Sequence, residues 1–167
     1  ARADSVNSRD LQYLSTGVPR LDNLLPGGFP VGSQTLFKGP SFCGKEVLMD
    51  HVTAAALRSG FPVIYISSNR SMNDVMKGII KRIPDFKKFN QEGMVRMFDL
   101  FSKHRGEHVL KEGHRIFNIE AVGDFKRFRN DLLEVQEDLV NDYGGGFIVI
   151  NSLSPLITKV EHGDLMK

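Results

Sequence analysis

The chain has 167 residues, 41% of them hydrophobic and 25% charged, and a net charge of +2. That is enough for one soluble domain with a sizeable core, and a charge this near neutral gives no electrostatic reason to expect nucleic acid or an anionic membrane as a partner. The single cysteine, Cys43, excludes an internal disulfide framework, no apolar run is long enough to span a bilayer, and "ARADSVNSRDLQYL" has no signal-type apolar stretch, so a cytoplasmic domain is expected.

Residues 1–14 read as an N-terminal arm and 15–167 as one domain that stops short on its C-terminal side. "TGVPRLDNLLPGGFPVGS" is rich in Gly and Pro, with a short apolar turn at Leu21, Leu24 and Leu25. "QTLFKGP" reads as a strand ending at Gly39. Residues 44–59 read as a helix on the spacing of Val47, Leu48, Val52, Ala55 and Ala56, stopped by Gly60. "PVIYISS" (62–68) is apolar without alternation, as in a strand covered on both faces. A second helix is expected over 72–83, ended by Pro84, then a strand at 94–101 and a polar loop at 102–115. "RIFNIEAV" suggests a short strand, 124–142 a long helix with Phe125, Phe128, Leu132, Val135 and Leu139 on one side, and "FIVIN" (147–151) a last buried strand. Alternating strand and helix argue for an α/β fold with a mostly parallel sheet.

"GPSFCGKE" carries the chemistry. Gly39, Gly44 and Lys45 match a phosphate-binding loop, G-x-x-x-x-G-K followed by Ser or Thr, placed between a strand and a helix. Pro40, Ser41, Phe42 and Cys43 make the span of such a loop; the backbone N–H groups after the proline and at the helix start cradle anionic oxygen, and the lysine meets the outer phosphates. The bland alternative is a Gly-rich turn with a surface lysine. Glu46 stands where the metal-holding hydroxyl belongs. A carboxylate about 4 Å from a phosphate repels it by roughly 4 kcal/mol at an effective dielectric of about 20. In the first turn of a helix the same acid gains roughly 0.3–1 kcal/mol from the dipole. ATP binding is therefore expected to be weak and Mg²⁺ to contribute little.

With these residues in view, "STGVPRLDNLLPGGFPVGSQTLFKGPSFCGKEVLMDHV" resembles the opening of the KaiC branch of the RecA-like ATPases. "GFPVIYISSNRSMNDVMKGI" is similar to the next unit of that family, and "GGGFIVINSLSPLI" to its Walker B strand. The likeness runs from residue 15 to about 157 and is close to archaeal KaiC-like proteins of signal-transduction type. It implies a RecA-type core with helices on both faces of the sheet, and ATP held between subunits, often in a six-membered ring. It also implies site residues. The loop's Gly39, Gly44 and Lys45 are kept; Glu46 replaces the Mg²⁺ hydroxyl, Asn151 the Walker B aspartate, and Asn69 with Arg70 the catalytic glutamates. Neither asparagine can take a proton at neutral pH.

The expected function is thus a degenerate KaiC-like domain, at most a weak nucleotide binder, in a regulatory or scaffolding role, with a homo-oligomer or another protein as partner. Two alternatives stand beside it: a slow ATPase using a replacement carboxylate such as Glu46 or Asp99, and an interaction module with an empty loop. Other features are weaker. Taken alone, Asn151 reads as a strand-end polar residue and Arg70 as a solvated surface charge. His104 and His108, with Glu107 or His114, have metal-ligand spacing in a segment that reads as loop. Lys81, Arg82, Lys87 and Lys88 with Phe86 and Phe89 resemble a nucleic-acid strip, but helix-end packing explains them better.

Overall fold

The computed structural model describes residues 12–101, 116–118 and 125–154. In chain order the elements are β1 (Tyr13–Leu14), α1 (Pro19–Asp22), β2 (Phe29–Pro30), α2 (Lys45–Arg58), β3 (Val63–Ser67), α3 (Met72–Arg82), α4 (Phe86–Gln91), β4 (Val95–Asp99), β5 (Ile116–Asn118), α5 (Phe125–Tyr143) and β6 (Phe147–Ile150). Four strands form a parallel sheet in the order β5-β4-β3-β6. Val63 to Ile66 lie opposite both Val95 to Phe98 and Phe147 to Ile150. β1 and β2 form a separate antiparallel pair.

Handedness decides where the helices go. The crossover from β3 to β4 moves along the sheet one way; that from β5 to β6 moves back past two strands. Right-handed connections running in opposite directions put their helices on opposite faces. One face accordingly packs Val63, Tyr65, Val95 and Met97 against Leu57 of α2, Val75 and Ile79 of α3, and Phe86 of α4. The other packs Ile64, Ile66 and Phe98 against Phe128, Val135 and Leu139 of α5. Phe98 and Phe128 meet edge to face with ring centroids 5.6 Å apart. Covered on both sides, all five residues of β3 are buried, which accounts for the unbroken apolar run in its sequence. Each of these large side chains contributes on the order of 1.5–3 kcal/mol by leaving water.

The S-T-G-x-P-x-x-D stretch has a physical reason. The Asp22 carboxylate accepts from Ser15 Oγ at 2.6 Å, Thr16 Oγ1 at 2.6 Å and Thr16 N at 2.8 Å, closing the turn that α1 starts. Burial works to raise the Asp22 pKa, but these hydrogen bonds outweigh it and hold it below the usual value. A Cβ on Gly17 would lie 2.8 Å from His51 O, so this clasp sits directly against α2.

One expected element is absent. Residues 34–38 belong to no strand and do not pair with β6, whose neighbour is β3. Leu36 is 75% exposed, and Phe37 meets Phe29 edge to face, 5.7 Å between centroids. A short run with two apolar residues suggests a strand, but not the sheet edge it would join. Among the described residues nothing pairs with the other edge of β6, and Ile148 and Ile150 stand 40% and 38% exposed.

Candidate functional site

The glycine-rich loop ends at Gly44, which caps α2 with φ +89, a left-handed conformation that favours glycine. The Lys45 side chain turns back over the loop. Its ammonium donates to Gly39 O at 2.8 Å, to Pro40 O, and to Cys43 Sγ at 3.4 Å. A lysine has three protons to donate, so all three have acceptors inside the loop. A Cβ on Gly39 would lie 2.9 Å from Cys43 Sγ, so glycine at this position lets the thiol approach. Phe42 at the tip is fully exposed and also left-handed, φ +62, which costs a side-chain-bearing residue roughly 1–2 kcal/mol. Glu46 lies in the first turn of α2, where an acid suits the helix dipole. The loop opens a helix as expected, but residues 34–38 that lead into it form no strand.

In parallel sheets, ligands gather at the carboxyl ends of the strands. Here those ends are laced together by hydrogen bonds. Asn151, just past β6, accepts from Ser68 N at 3.0 Å through Oδ1 and donates to Ser67 Oγ at 2.9 Å through Nδ2. Its own amide N–H reaches Ile66 O at 3.1 Å, and Ser68 Oγ donates to Ser152 O at 2.7 Å. An aspartate at 151 could accept from Ser68 N but has no proton to give Ser67. Asp99, at the end of β4, is fully buried. It accepts from Met72 N at 3.2 Å and from Phe101 N at 3.0 Å, so its carboxylate caps α3 and turns the chain after β4. Asn69 is exposed.

Arg70 corrects the sequence reading. It is not a solvated surface charge: its side chain is 20% exposed, and its Nη2 lies 2.7 Å from Asp50 Oδ1 and 2.8 Å from the Tyr65 hydroxyl. Arg82 reaches the other Asp50 oxygen at 3.6 Å. Asp50 is one turn beyond Glu46 on α2, so this cluster fastens the helix behind the glycine-rich loop to β3 and to the turn before α3. Gly78 makes room for it, since a Cβ there would lie 2.2 Å from Asp50 Oδ2. Burial pushes the Asp50 carboxyl above its ordinary pKa despite the pull of both guanidinium groups. Burial also pushes the Tyr65 hydroxyl up to about 12, against the favourable charge of Arg70. For Arg70, burial works downward, but Tyr65 and Asp50 outweigh it and hold the guanidinium firmly charged.

Nothing local in the sequence marked this cluster. Asp50 and Arg70 are twenty residues apart, and a lone acid in a helix looks like any solvated one. Of the weaker candidates, Phe86 is buried and Phe89 packs against the core, which removes the aromatic half of the basic strip from the surface. His104, Glu107, His108 and His114 lie outside the described residues. Among the described residues no group of His, Cys, Asp and Glu has the makings of a metal site, and no helix is long and apolar enough to cross a membrane.

Comparison with known proteins agrees with this geometry. The chain is 24% identical over 146 residues to a UPF0273 protein of Pyrococcus furiosus, covering 87% of this chain and 56% of that one. It is 27% identical over 150 residues to a UPF0273 protein of Thermotoga maritima, covering 89% and 59%. The match to an Aeropyrum pernix relative is 24% over 143 residues, covering 86% and 55%. The chain thus spans little more than half the length of these curated relatives. The family model described as ATPase: KaiC matches residues 14–166, nearly the whole chain, and with its α/β parallel sheet and helices on both faces this chain belongs to the KaiC ATPase family.

Proposed function

We propose that this chain is a nucleotide-binding module of the KaiC family that has given up hydrolysis and serves a regulatory or scaffolding role. The observation that carries the reading is the state of the strand ends. Where a hydrolase needs carboxylates to hold metal and orient water, Asn151 is an amide spent on Ser67 and Ser68. Asp99 is spent on two backbone N–H groups, and Arg70 is spent on Asp50 and Tyr65.

The loop fits the phosphates of a nucleotide in part. Backbone N–H groups from Ser41 to Lys45 at the start of α2 would hold them, with the Lys45 ammonium giving up its Cys43 contact to take a phosphate oxygen. A Mg²⁺ ion fits poorly, because the first turn offers Glu46 in place of a hydroxyl beside phosphate charge. Bound ATP would therefore be retained, weakly, and not turned over.

Calorimetric titration with ATP, with and without Mg²⁺, combined with a phosphate-release assay, tests this. Saturable binding that changes little with Mg²⁺ is expected, weakened about tenfold, or about 1.4 kcal/mol, by Lys45→Ala. Phosphate release should stay at background. Clear wild-type turnover abolished by Lys45→Ala would overturn the reading in favour of a slow ATPase. Absence of any saturable binding would leave the domain as an interaction module only.

A further inference from the structure

We propose that Arg70 is the counter-charge of the glycine-rich loop: when a phosphate group enters beside Glu46, the unengaged side of the Arg70 guanidinium pairs with the Glu46 carboxylate, and the loop takes that phosphate without a divalent ion. This inference rests on the nucleotide reading and adds to it the residue that makes metal-free binding possible. Two departures from the family pattern are complementary. An acid, Glu46, stands on α2 in place of a hydroxyl, and a base, Arg70, stands in the turn after β3 where the pattern has acids.

The fold brings the two toward each other. Glu46 and Asp50 are one turn apart on α2, so both carboxylates start from the same face of the helix. Arg70 already reaches that face, with Nη2 2.7 Å from Asp50 Oδ1 and 2.8 Å from the Tyr65 hydroxyl. The Glu46 charge is near enough to act on that same hydroxyl. Both hydrogen bonds of Arg70 run through one nitrogen. Among the described residues Nη1 has no acceptor, and Nε is buried without one. A guanidinium carries five N–H donors in a planar fork, so it can keep Asp50 on one side and hold a second carboxylate on another. Glu46 is half-buried, where a charge pair is screened less than on open surface. Arg70 thus brings the positive charge that a divalent ion would otherwise supply, and Lys45 is left for the phosphate oxygens.

Variants of the full chain built on Asp50→Asn test this. That change keeps the shape of the site, removes the acceptor that competes with Glu46, and lets Arg70→Gln be added without leaving a buried carboxylate unpaired. In urea unfolding, Glu46→Gln should lower the midpoint more with Arg70 in place than after Arg70→Gln, since only the first case has a pair to break. In calorimetric titration with ATP in EDTA, Arg70→Gln should weaken binding about tenfold. Adding Glu46→Gln should recover most of that loss, because no acid is then left to offset. An arginine that served the fold alone would give neither the coupling nor the recovery. Equal effects of Glu46→Gln with and without Arg70 overturn the proposal, and so does a loss of ATP affinity that Glu46→Gln does not recover. Either result leaves the nucleotide reading standing. No saturable ATP binding by the wild type or any variant overturns that reading, and this proposal with it.

Discussion

Asp50 has only 5% of its side-chain surface exposed, with Arg70 at 2.7 Å and Arg82 at 3.6 Å. Removing one partner of such a buried pair usually costs far more than replacing both, so Arg70→Ala is expected to destabilise the fold by about 3–5 kcal/mol. The pH dependence has a definite sign. Burial holds the Asp50 pKa above its unfolded value of 3.8, so the folded chain binds that proton more tightly. This contribution to stability is fully present below the unfolded pKa and is lost as pH rises through the higher folded value. Asp50→Asn should flatten that segment of the stability curve, measured by urea unfolding from acid to neutral pH. A curve unchanged in shape would mean that the Arg70 and Arg82 charges cancel the effect of burial on the carboxyl. None of this was legible in the sequence, where Arg70 sits in a polar turn and Asp50 in an ordinary helix. A buried ion pair is a property of packing, and the partners are brought together only when α2 docks on β3.

The helices and strands of the sheet were far easier to read. α3 shows why: Ser71 caps it, its Oγ accepting from Asp74 N at 3.3 Å, and Val75, Met76 and Ile79 then recur on the buried face. α5 repeats the pattern with Phe128, Val135 and Leu139. The two-residue strands β1 and β2 and the short α4 escaped, because elements of that length carry too few residues to show a period. Asp99 is the joint between two of the legible elements: it ends β4 and takes the Met72 N–H at the start of α3. Asp99→Ala removes an acceptor from both Met72 and Phe101 in a fully buried place. A loss of about 1–3 kcal/mol is expected, seen as a lower urea midpoint with an unchanged slope. Nucleotide affinity should be unaffected at concentrations where the variant is folded. A variant of wild-type stability that instead lost nucleotide-dependent activity would return Asp99 to the list of candidate catalytic groups.

At the scale of the molecule, the sheet and the glycine-rich loop are held in different ways. β3 lies between β4 and β6 with helices over both faces, so its amides are shielded by two ladders and two layers of side chains. Among the described residues the loop is continuous with α2 on one side, while residues 34–38 make no ladder on the other. Its anchors are the Asp22 clasp against His51 and the Asp50–Arg70 pair, both of which grip the helix and not the loop. The sequence suggested a strand at 34–38 because Leu36 and Phe37 sit in a short extended pattern, but joining a sheet depends on an edge elsewhere offering register and cover. Hydrogen exchange separates the two cases. The amides of 34–38 should exchange at nearly the rate of an unfolded chain, while those of β3 open only with global unfolding and are protected by several orders of magnitude more. Nucleotide should slow exchange in residues 40–46 if the loop cradles phosphate, with little change at 34–38, because those residues have no ladder to tighten. Protection at 34–38 equal to that of β3 would show that the segment is a sheet strand in solution, and the loop would then rest on the sheet directly instead of on α2.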